Sequence, residues 1–186
     1  MNLKKIAFWL ILSVPGILLI KSAIEGTGEY NMLMHTSGEF SVRFLIICLI
    51  ATPLLVLFPK SRFPKWLVKN RRYFGVAAFG YALLHTVVYL FEIEWITVQK
   101  EFFDIGILTG WIGFIIFIPL ALTSNDYSVG LMKQGWKKLQ RWIYVAAIGI
   151  FAHWVFIHYH YIPALVHFVP VLLLQIARVW KNKNIR

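Results

Sequence analysis

Arg71–Phe91 reads RRYFGVAAFGYALLHTVVYLF, and this stretch decides the fold. Two arginines precede nineteen residues without a charged side chain, a run long enough for a helix to cross the apolar core of a bilayer. His85 is the one histidine in that run. At about 1.5 Å of rise per residue it lies roughly 20 Å beyond Arg72, in the far half of a membrane. An ionisable side chain at that depth predicts a functional site.

The composition of the whole chain sets its class. Hydrophobic residues make up 59% of the 186 residues and charged residues 15%, which predicts an all-α integral membrane protein. The length suits one compact transmembrane domain over residues 1–186. Cys48 is the only cysteine, so an intramolecular disulfide or a cysteine-based metal site is excluded.

Apolar runs predict a bundle of six transmembrane helices. The fifth and sixth runs form a hairpin, since Pro163 follows closely on the fifth. The six spans lie at about Ile6–Ile24, Val42–Phe58, Tyr73–Phe91, Phe102–Leu122, Trp142–Tyr159 and Tyr161–Trp180.

The charges orient this bundle. Sixteen of the 19 basic residues fall on one side of the six spans, and seven of the eight acidic residues fall on the other. The positive-inside rule then predicts that both termini are cytoplasmic. The net charge of +11 is therefore interpreted as a signal for the orientation of the chain in membrane lipid. This interpretation argues against nucleic-acid binding.

Three histidines fall at a similar depth in the outer half of the membrane. Helical rise puts His153 about 18 Å from the inner surface, nearly level with His85, and puts His167 about 9 Å below the outer surface. Two imidazoles from facing helices are what a six-coordinate b-type haem needs. The predicted axial ligands are His85 and His153, with His167 as the alternative partner. A histidine hydrogen-bonded inside the bundle is the simpler alternative for each.

Other polar residues suggest secondary roles. Arg43 is the predicted outer cation for the haem propionates, unless it only anchors the chain at the membrane interface. His35 is expected in the first outer loop. His158 and His160 are expected to be solvated, the alternative being an outward metal-binding pair.

Three blocks of sequence resemble one family. They are His35–Pro53 (HTSGEFSVRFLIICLIATP), Arg71–His85 (RRYFG…LLH) and Leu122–Tyr144 (LTSND…KQGWKKLQRWIY), the last followed by His153. Together they resemble the MsrQ (YedZ) family, the haem-binding membrane subunits of the periplasmic protein-methionine-sulfoxide reductase system. That family belongs to the ferric reductase-like transmembrane domains.

The resemblance implies an electron-transfer subunit of the bacterial inner membrane that is not itself the catalytic enzyme. Such subunits carry haem b, and reportedly flavin mononucleotide (FMN). They take electrons from quinone or a cytoplasmic flavin reductase and pass them to a periplasmic molybdenum-containing methionine sulfoxide reductase. Their third-helix and later fifth-helix histidines match His85 and His153. A basic group could hold a flavin phosphate or dock the donor, although a solvated loop is the simpler interpretation; it comprises Arg71, Arg72, Lys137 and Lys138.

One position departs from the family pattern. Gln140 stands where the family usually has a further histidine, and a glutamine amide is a poor ligand for haem iron. The departure predicts one haem per chain. Two other functions stay open at this point: a self-contained ferric or cupric reductase, and a cofactor-free transporter or proton-relay protein that uses the intramembrane histidines.

Overall fold

The computed structural model describes residues 3–158 and 161–184, and this part of the chain is helical with short connections. Within it nine helices follow one another: α1 (Leu3–Ile24), α2 (Tyr30–Leu57), α3 (Arg62–Glu92), α4 (Trp95–Glu101), α5 (Ile105–Leu122), α6 (Asp126–Met132), α7 (Gln134–Gln140), α8 (Ile143–His158) and α9 (Tyr161–Asn184).

Six segments of the described chain are long and apolar enough to cross a membrane, which confirms the predicted six-helix architecture. Five of them lie in α1, α2, α3, α5 and α9, and the sixth, Gln134–Ile157, runs through α7 and α8. Large apolar side chains are exposed along the outer surface of these helices, as expected where a bundle faces lipid.

Several helices begin or end at residues other than the predicted span boundaries. The second span begins at Tyr30 rather than near Val42, so His35 lies within α2 and not in an outer loop. The prediction took the charged residues as the start of the span, but Glu39 and Arg43 pair along one face of the helix at 2.6 Å, so both are accommodated within α2.

The other ends shift for similar reasons. The third helix begins eleven residues before Tyr73, at Arg62, because the basic segment before the apolar run is itself helical. The fourth span begins at Ile105 rather than Phe102, after the short helix α4. The sixth span continues beyond Trp180 to Asn184. The predicted end of the fifth span, Tyr159, lies outside the described residues.

A proline inside α2 is matched by a polar side chain from α9. Pro53 has no N–H, so the carbonyl of Leu49, four residues earlier, loses its usual partner within the helix. The Gln175 side-chain amide donates to that carbonyl at 2.8 Å. A neighbouring helix therefore satisfies the backbone group that the proline leaves open, as transmembrane bundles require.

A tyrosine from α3 is inserted into the backbone of α1. The Tyr81 hydroxyl accepts a hydrogen bond from the Gly16 amide at 2.8 Å and donates one to the Leu12 carbonyl at 2.9 Å. These two backbone groups are four residues apart and would otherwise bond to each other. The hydroxyl thus fastens α1 to the bundle at the cost of one bond within α1.

Helix α2 lies at the centre of the bundle, where it packs against both α3 and α9, while α5 packs against α8. The largest buried cluster draws residues from all five of these helices: Leu45, Leu49, Ala78, Phe117, Leu120, Ala146, Ala147 and Val171. Packing of α2 with α3 and of α5 with α8 forms two helical hairpins, and His85 and His153 lie between them.

The two ends of the bundle differ in charge. At the basic end, Arg72, almost three turns into α3, donates to Asp126 at the start of α6, with 2.6 Å between the charged groups. This contact brings the two basic connections to the same end, as the charge pattern predicts. The opposite, acidic end carries the start of α2, the end of α3 and helix α4. Cytoplasmic placement of both termini stays a prediction from the charges.

Candidate functional site

A cavity of about 400 Å³ lies between the two hairpins and opens toward the acidic end. Its volume is within the range of small-molecule and cofactor sites. Residues from α2, α3, α4, α5 and α8 line it, and they change in character along its length. Polar side chains gather near the acidic end (Tyr30, Asn31, His35, Tyr89 and Glu101), and apolar ones lie deeper in the bundle (Ala82, Phe114, Phe117 and Ile150).

His85 from α3 and His153 from α8 both line this cavity. Their ring centroids are 6.2 Å apart and their ring planes are nearly perpendicular, at 89°. Helical rise predicts that the two residues are level, and the folded chain brings the rings together from separate hairpins. The cavity and the paired imidazoles therefore form one site.

The His85 ring is held by helix α2. Its Nδ1 lies 3.0 Å from the Met34 carbonyl oxygen and 3.4 Å from the Ser37 hydroxyl. A carbonyl oxygen only accepts hydrogen bonds, so Nδ1 carries the proton and donates. In the neutral ring the other nitrogen, Nε2, is then the one with a lone pair for a metal.

The His153 ring is held in the same way by helix α5. Its Nδ1 donates to the Gly106 carbonyl at 2.7 Å. Gly110, one turn further along α5, lies against the ring: a Cβ built there would come within 2.6 Å of Nδ1. A metal-binding histidine commonly donates its other N–H to a backbone carbonyl, which fixes the ring orientation. Both rings have this support.

The remaining histidines are placed elsewhere. His167 is outside the set of described residues that line the cavity, and its Nδ1 donates to the Pro163 carbonyl at 2.8 Å. Its ring packs on Trp154, with centroids 5.1 Å apart. His35 lines the cavity near its opening. The His158 side chain and all of His160 lie outside the described parts of the chain, so the predicted outward pair stays a prediction.

Arg43 pairs with an acid rather than facing the cavity. Its guanidinium donates to Glu39 at 2.6 Å, and it also lies 5.8 Å from the centroid of the Phe40 ring. Glu39 contributes to the cavity wall, whereas the described lining contains no lysine or arginine. A propionate role for Arg43 would require it to exchange Glu39 for the ligand.

A second, much smaller cavity lies toward the basic end. It measures about 30 Å³, and Gln140 and Cys48 are among its lining residues. The Gln140 amide donates to the Leu120 carbonyl at 3.1 Å and to the Thr123 hydroxyl at 3.2 Å. The glutamine thus serves as a link between α7 and the end of α5.

The basic residues proposed for a flavin lie at the same end. The Arg71 guanidinium donates to the Thr52 hydroxyl at 3.2 Å, and Arg72 is engaged with Asp126. The Arg72 hydrogen bond and positive charge lower the pKa of Asp126 below its usual value. Lys137 and Lys138 lie in the last turn of α7. These contacts occupy the two arginines with protein partners.

The described parts of the chain offer no site for a metal ion held by protein side chains alone. Over residues 3–158 and 161–184 no group of three or more histidine, cysteine, aspartate or glutamate side chains is arranged to hold a metal ion. Two imidazoles facing across an apolar-walled cavity suit a group that supplies its own equatorial ligands, as a porphyrin does.

Several residues of the site were not found from the sequence. Met34, Gly106 and Gly110 act through backbone atoms or the absence of a side chain, so their residue types carry little signal. Ser37 next to Gly38, inside the block HTSGEF, was the available hint. Tyr89 lies one helical turn after His85 on the same face of α3, and that spacing could have revealed it.

Comparison with known proteins identifies a family. Residues 37–169 match the family of ferric reductase like transmembrane components. The chain is 27% identical over 165 residues to the protein-methionine-sulfoxide reductase heme-binding subunit MsrQ of Caulobacter vibrioides, covering 86% of this chain and 77% of that protein.

A second relative is the protein of the same name from Brucella anthropi. It is 33% identical over 134 residues, which cover 70% of this chain. This chain therefore spans about three fifths (59%) of the Brucella protein's length. No solved structure matches the chain. On the family match and these relatives, the chain belongs to the ferric reductase-like transmembrane family and, within it, to the MsrQ proteins.

Proposed function

We propose that this chain is a membrane electron carrier that holds one b-type haem between His85 and His153. The observation that supports this most strongly is the ring separation of 6.2 Å across a cavity of about 400 Å³. Metal–imidazole bonds are about 2 Å long and the ligating nitrogen lies about 1 Å from its ring centre, so two axial imidazoles have ring centres about 6 Å apart.

The residues present fit such a group. Each imidazole has its Nδ1 bonded to a carbonyl, from Met34 or Gly106, and so offers Nε2 as the ligand nitrogen. The deeper cavity wall is apolar and includes Phe114 and Phe117. His85 and His153 would hold such a haem, which would supply a one-electron couple and, with both histidines bound, would have no open position for oxygen. The protein's part is to fix both rings and exclude water from the inner wall.

One haem per chain is the expected stoichiometry. Gln140 stands in place of the family's further histidine, and the cavity beside it is only about 30 Å³. The Gln140 amide is also committed to Leu120 and Thr123. A second porphyrin would therefore need both a ligand and a space that the described residues do not offer.

We further propose the place of this carrier in a larger system. Its relatives are named as subunits of a protein-methionine-sulfoxide reductase, which supports a separate reductase as the electron acceptor. In this proposal the chain, a single transmembrane domain, lies in the bacterial inner membrane with cytoplasmic termini and passes electrons outward to a periplasmic molybdenum-containing enzyme. Its donor is quinone or a cytoplasmic flavin reductase. FMN binding at Arg71, Arg72, Lys137 and Lys138 stays a proposal.

A spectrum of the purified protein tests the haem proposal. We expect a low-spin b-type difference spectrum (reduced minus oxidised), with a pyridine haemochrome ratio of one haem per chain. His85→Ala and His153→Ala should each abolish it. His167→Ala is the matched control and should keep it, because His167 lies outside the described cavity wall. A wild-type protein that stays colourless after haem supplementation would instead favour a proton-relay or transport function.

A second measurement separates the carrier from a self-contained reductase. The haem-loaded wild-type protein, chemically reduced, is mixed with ferric or cupric chelates without any partner protein. A carrier should reoxidise slowly with either chelate, and at the same slow rate in the His167→Ala control. Fast reoxidation with a chelate as the sole acceptor, sustained over repeated turnovers, would assign metal reduction to this chain itself.

A further inference from the structure

The main cavity is polar at one end only, and the described residues that line this end include no lysine or arginine. Tyr30, Asn31 and Tyr89 lie near the acidic end of the bundle, together with Glu39 and Glu101. The described lining contains no lysine or arginine, and Arg43 is held outside it by Glu39. Any anionic group bound at this end would therefore have to rely on uncharged donors or on His35, which also lines it.

Tyr89 is the donor that lacks an acceptor. Its side chain lines the cavity, and its hydroxyl is buried without a hydrogen-bond partner among the described residues. Leaving a hydroxyl unsatisfied in the interior is unfavourable, and such groups usually mark a missing water or ligand. Tyr89 follows His85 by one helical turn, so it projects from the same face of α3.

We propose that the Tyr89 hydroxyl donates a hydrogen bond to a carboxylate of the bound porphyrin, whose propionate edge then faces the acidic end. This inference rests on the proposed haem site. The carboxylate is the acceptor that the hydroxyl lacks, and a bond from a hydroxyl to a charged oxygen is stronger than one between neutral groups. The apolar edge of the porphyrin would then face Phe114, Phe117 and Ile150, deeper in the bundle.

Tyr89→Phe tests this assignment because it removes only the hydroxyl. The full-length protein is prepared without haem and titrated with haem and with haem dimethyl ester, in which both carboxylates are blocked. We expect the wild type to prefer haem over the ester by about ten- to a hundredfold, the range for a hydrogen bond to a charged group. Tyr89→Phe should lose most of that preference, and the propionate vibrations in its resonance Raman spectrum should shift.

Tyr81→Phe is the matched control. The Tyr81 hydroxyl has two partners, Gly16 and Leu12, and its residue is outside the described cavity wall. We expect this control to lower the thermal unfolding temperature of the haem-free protein and to keep the full preference for haem. Tyr89→Phe should leave that temperature unchanged or raise it, because it removes an unsatisfied buried group.

The outcomes separate the possible failures. A Tyr89→Phe protein that keeps the wild-type preference for haem over the ester would overturn the assignment. If Arg43→Gln removed the preference instead, the propionate partner would be Arg43. A wild-type protein that binds neither porphyrin would refute the haem proposal itself, and this inference with it.

Discussion

Gly38 and Gly110 stand in the same relation to the two histidines of the site. Gly38 lies four residues after Met34, whose carbonyl accepts a hydrogen bond from His85. A Cβ built on Gly38 would lie 3.2 Å from Nδ1 of the His85 ring. Gly110 follows by four residues the carbonyl of Gly106, which accepts from His153.

This correspondence makes the two helical hairpins equivalent around the cavity. In each, the first helix supplies a carbonyl and, one turn later, a glycine, while the second helix supplies the histidine. The glycine lets the imidazole lie directly on the backbone of its neighbour, which brings Nδ1 within reach of the carbonyl. The sequence shows no internal repeat, so the equivalence is visible only in the folded chain.

The first prediction concerns Gly110→Ala. The added Cβ would lie 2.6 Å from Nδ1 of His153, closer than real contacts allow, so the ring must move away from the Gly106 carbonyl. We expect at least a tenfold loss of haem affinity and a changed low-spin spectrum. Gly38→Ala should have a smaller effect, because its Cβ would lie 3.2 Å from the other ring.

Gly80→Ala provides the control for these two variants. A Cβ at Gly80, within α3, meets nothing within 4 Å, so the haem spectrum should be unchanged and the helix should gain a little stability. Haem titration of the three purified variants is the measurement. A Gly110→Ala protein with wild-type haem affinity and spectrum would show that the close approach has no role in ligation.

The second prediction concerns the partner of Pro53. Gln175→Leu removes the amide that donates to the Leu49 carbonyl, leaving a buried acceptor open. Gln175→Leu also removes the buried Gln175 Oε1, which has no hydrogen-bond partner among the described residues. Because this gain offsets part of the loss, we expect the free energy of unfolding to fall by about 1 kcal/mol. Reversible unfolding in mixed detergent micelles measures the change.

Pro53→Ala shows whether this loss comes from the proline. Alanine restores an N–H that can bond the Leu49 carbonyl within α2, so Gln175→Leu should cost less in that background. The coupling free energy between Pro53→Ala and Gln175→Leu then measures how much of the loss depends on the proline. Equal losses in both backgrounds would mean that Gln175 stabilises α9 by packing alone.

Much of the architecture follows from local sequence, because the membrane imposes simple rules. Hydropathy and charge gave six spans, since a bilayer requires apolar runs of fixed length. Constant helical rise gave the shared depth of His85 and His153. The start of α2 was missed because Glu39 and Arg43 neutralise each other in an ion pair, which a count of charges does not see.

The details of the site depend on contacts between distant parts of the chain. The Met34 and Gly106 carbonyls carry no residue-specific signal, and any residue at those positions would offer the same oxygen. The unpartnered Tyr89 hydroxyl can be recognised only once its surroundings are assembled. Arg43 has the charge expected of a propionate partner, but a neighbour on its own helix occupies it.

The third prediction tests the reason for one haem per chain. Gln140→His introduces the imidazole that the family resemblance predicts at this position, but the neighbouring cavity is only about 30 Å³. We expect the pyridine haemochrome ratio to remain one per chain. The variant should also unfold more easily, because it breaks the bonds to Leu120 and Thr123. A ratio near two would show that the missing ligand, and not the packing, limits haem content.

The last prediction uses the pH dependence of the contact between Arg72 and Asp126. Asp126 is 96% exposed at its side chain, yet the Arg72 hydrogen bond and charge lower its pKa below the usual value near 3.9. A lowered pKa in the folded state means that the contact stabilises the fold above the pKa of the unfolded chain. This contribution is lost as the pH falls through the lower, folded-state pKa.

Carboxyl NMR of labelled aspartate in micelles measures this pKa. Asp126 should titrate below the usual range in the wild type and return toward it in Arg72→Gln, and added salt should reduce the difference because the pair is exposed. Asp126→Asn and Arg72→Gln should loosen α6 equally at neutral pH, without adding in the double variant, and neither should matter once the pH is below the lowered pKa of Asp126. If the pKa of Asp126 were the same in the wild type and in Arg72→Gln, the contact would be absent in solution. The link that holds the two basic connections together would then be absent as well.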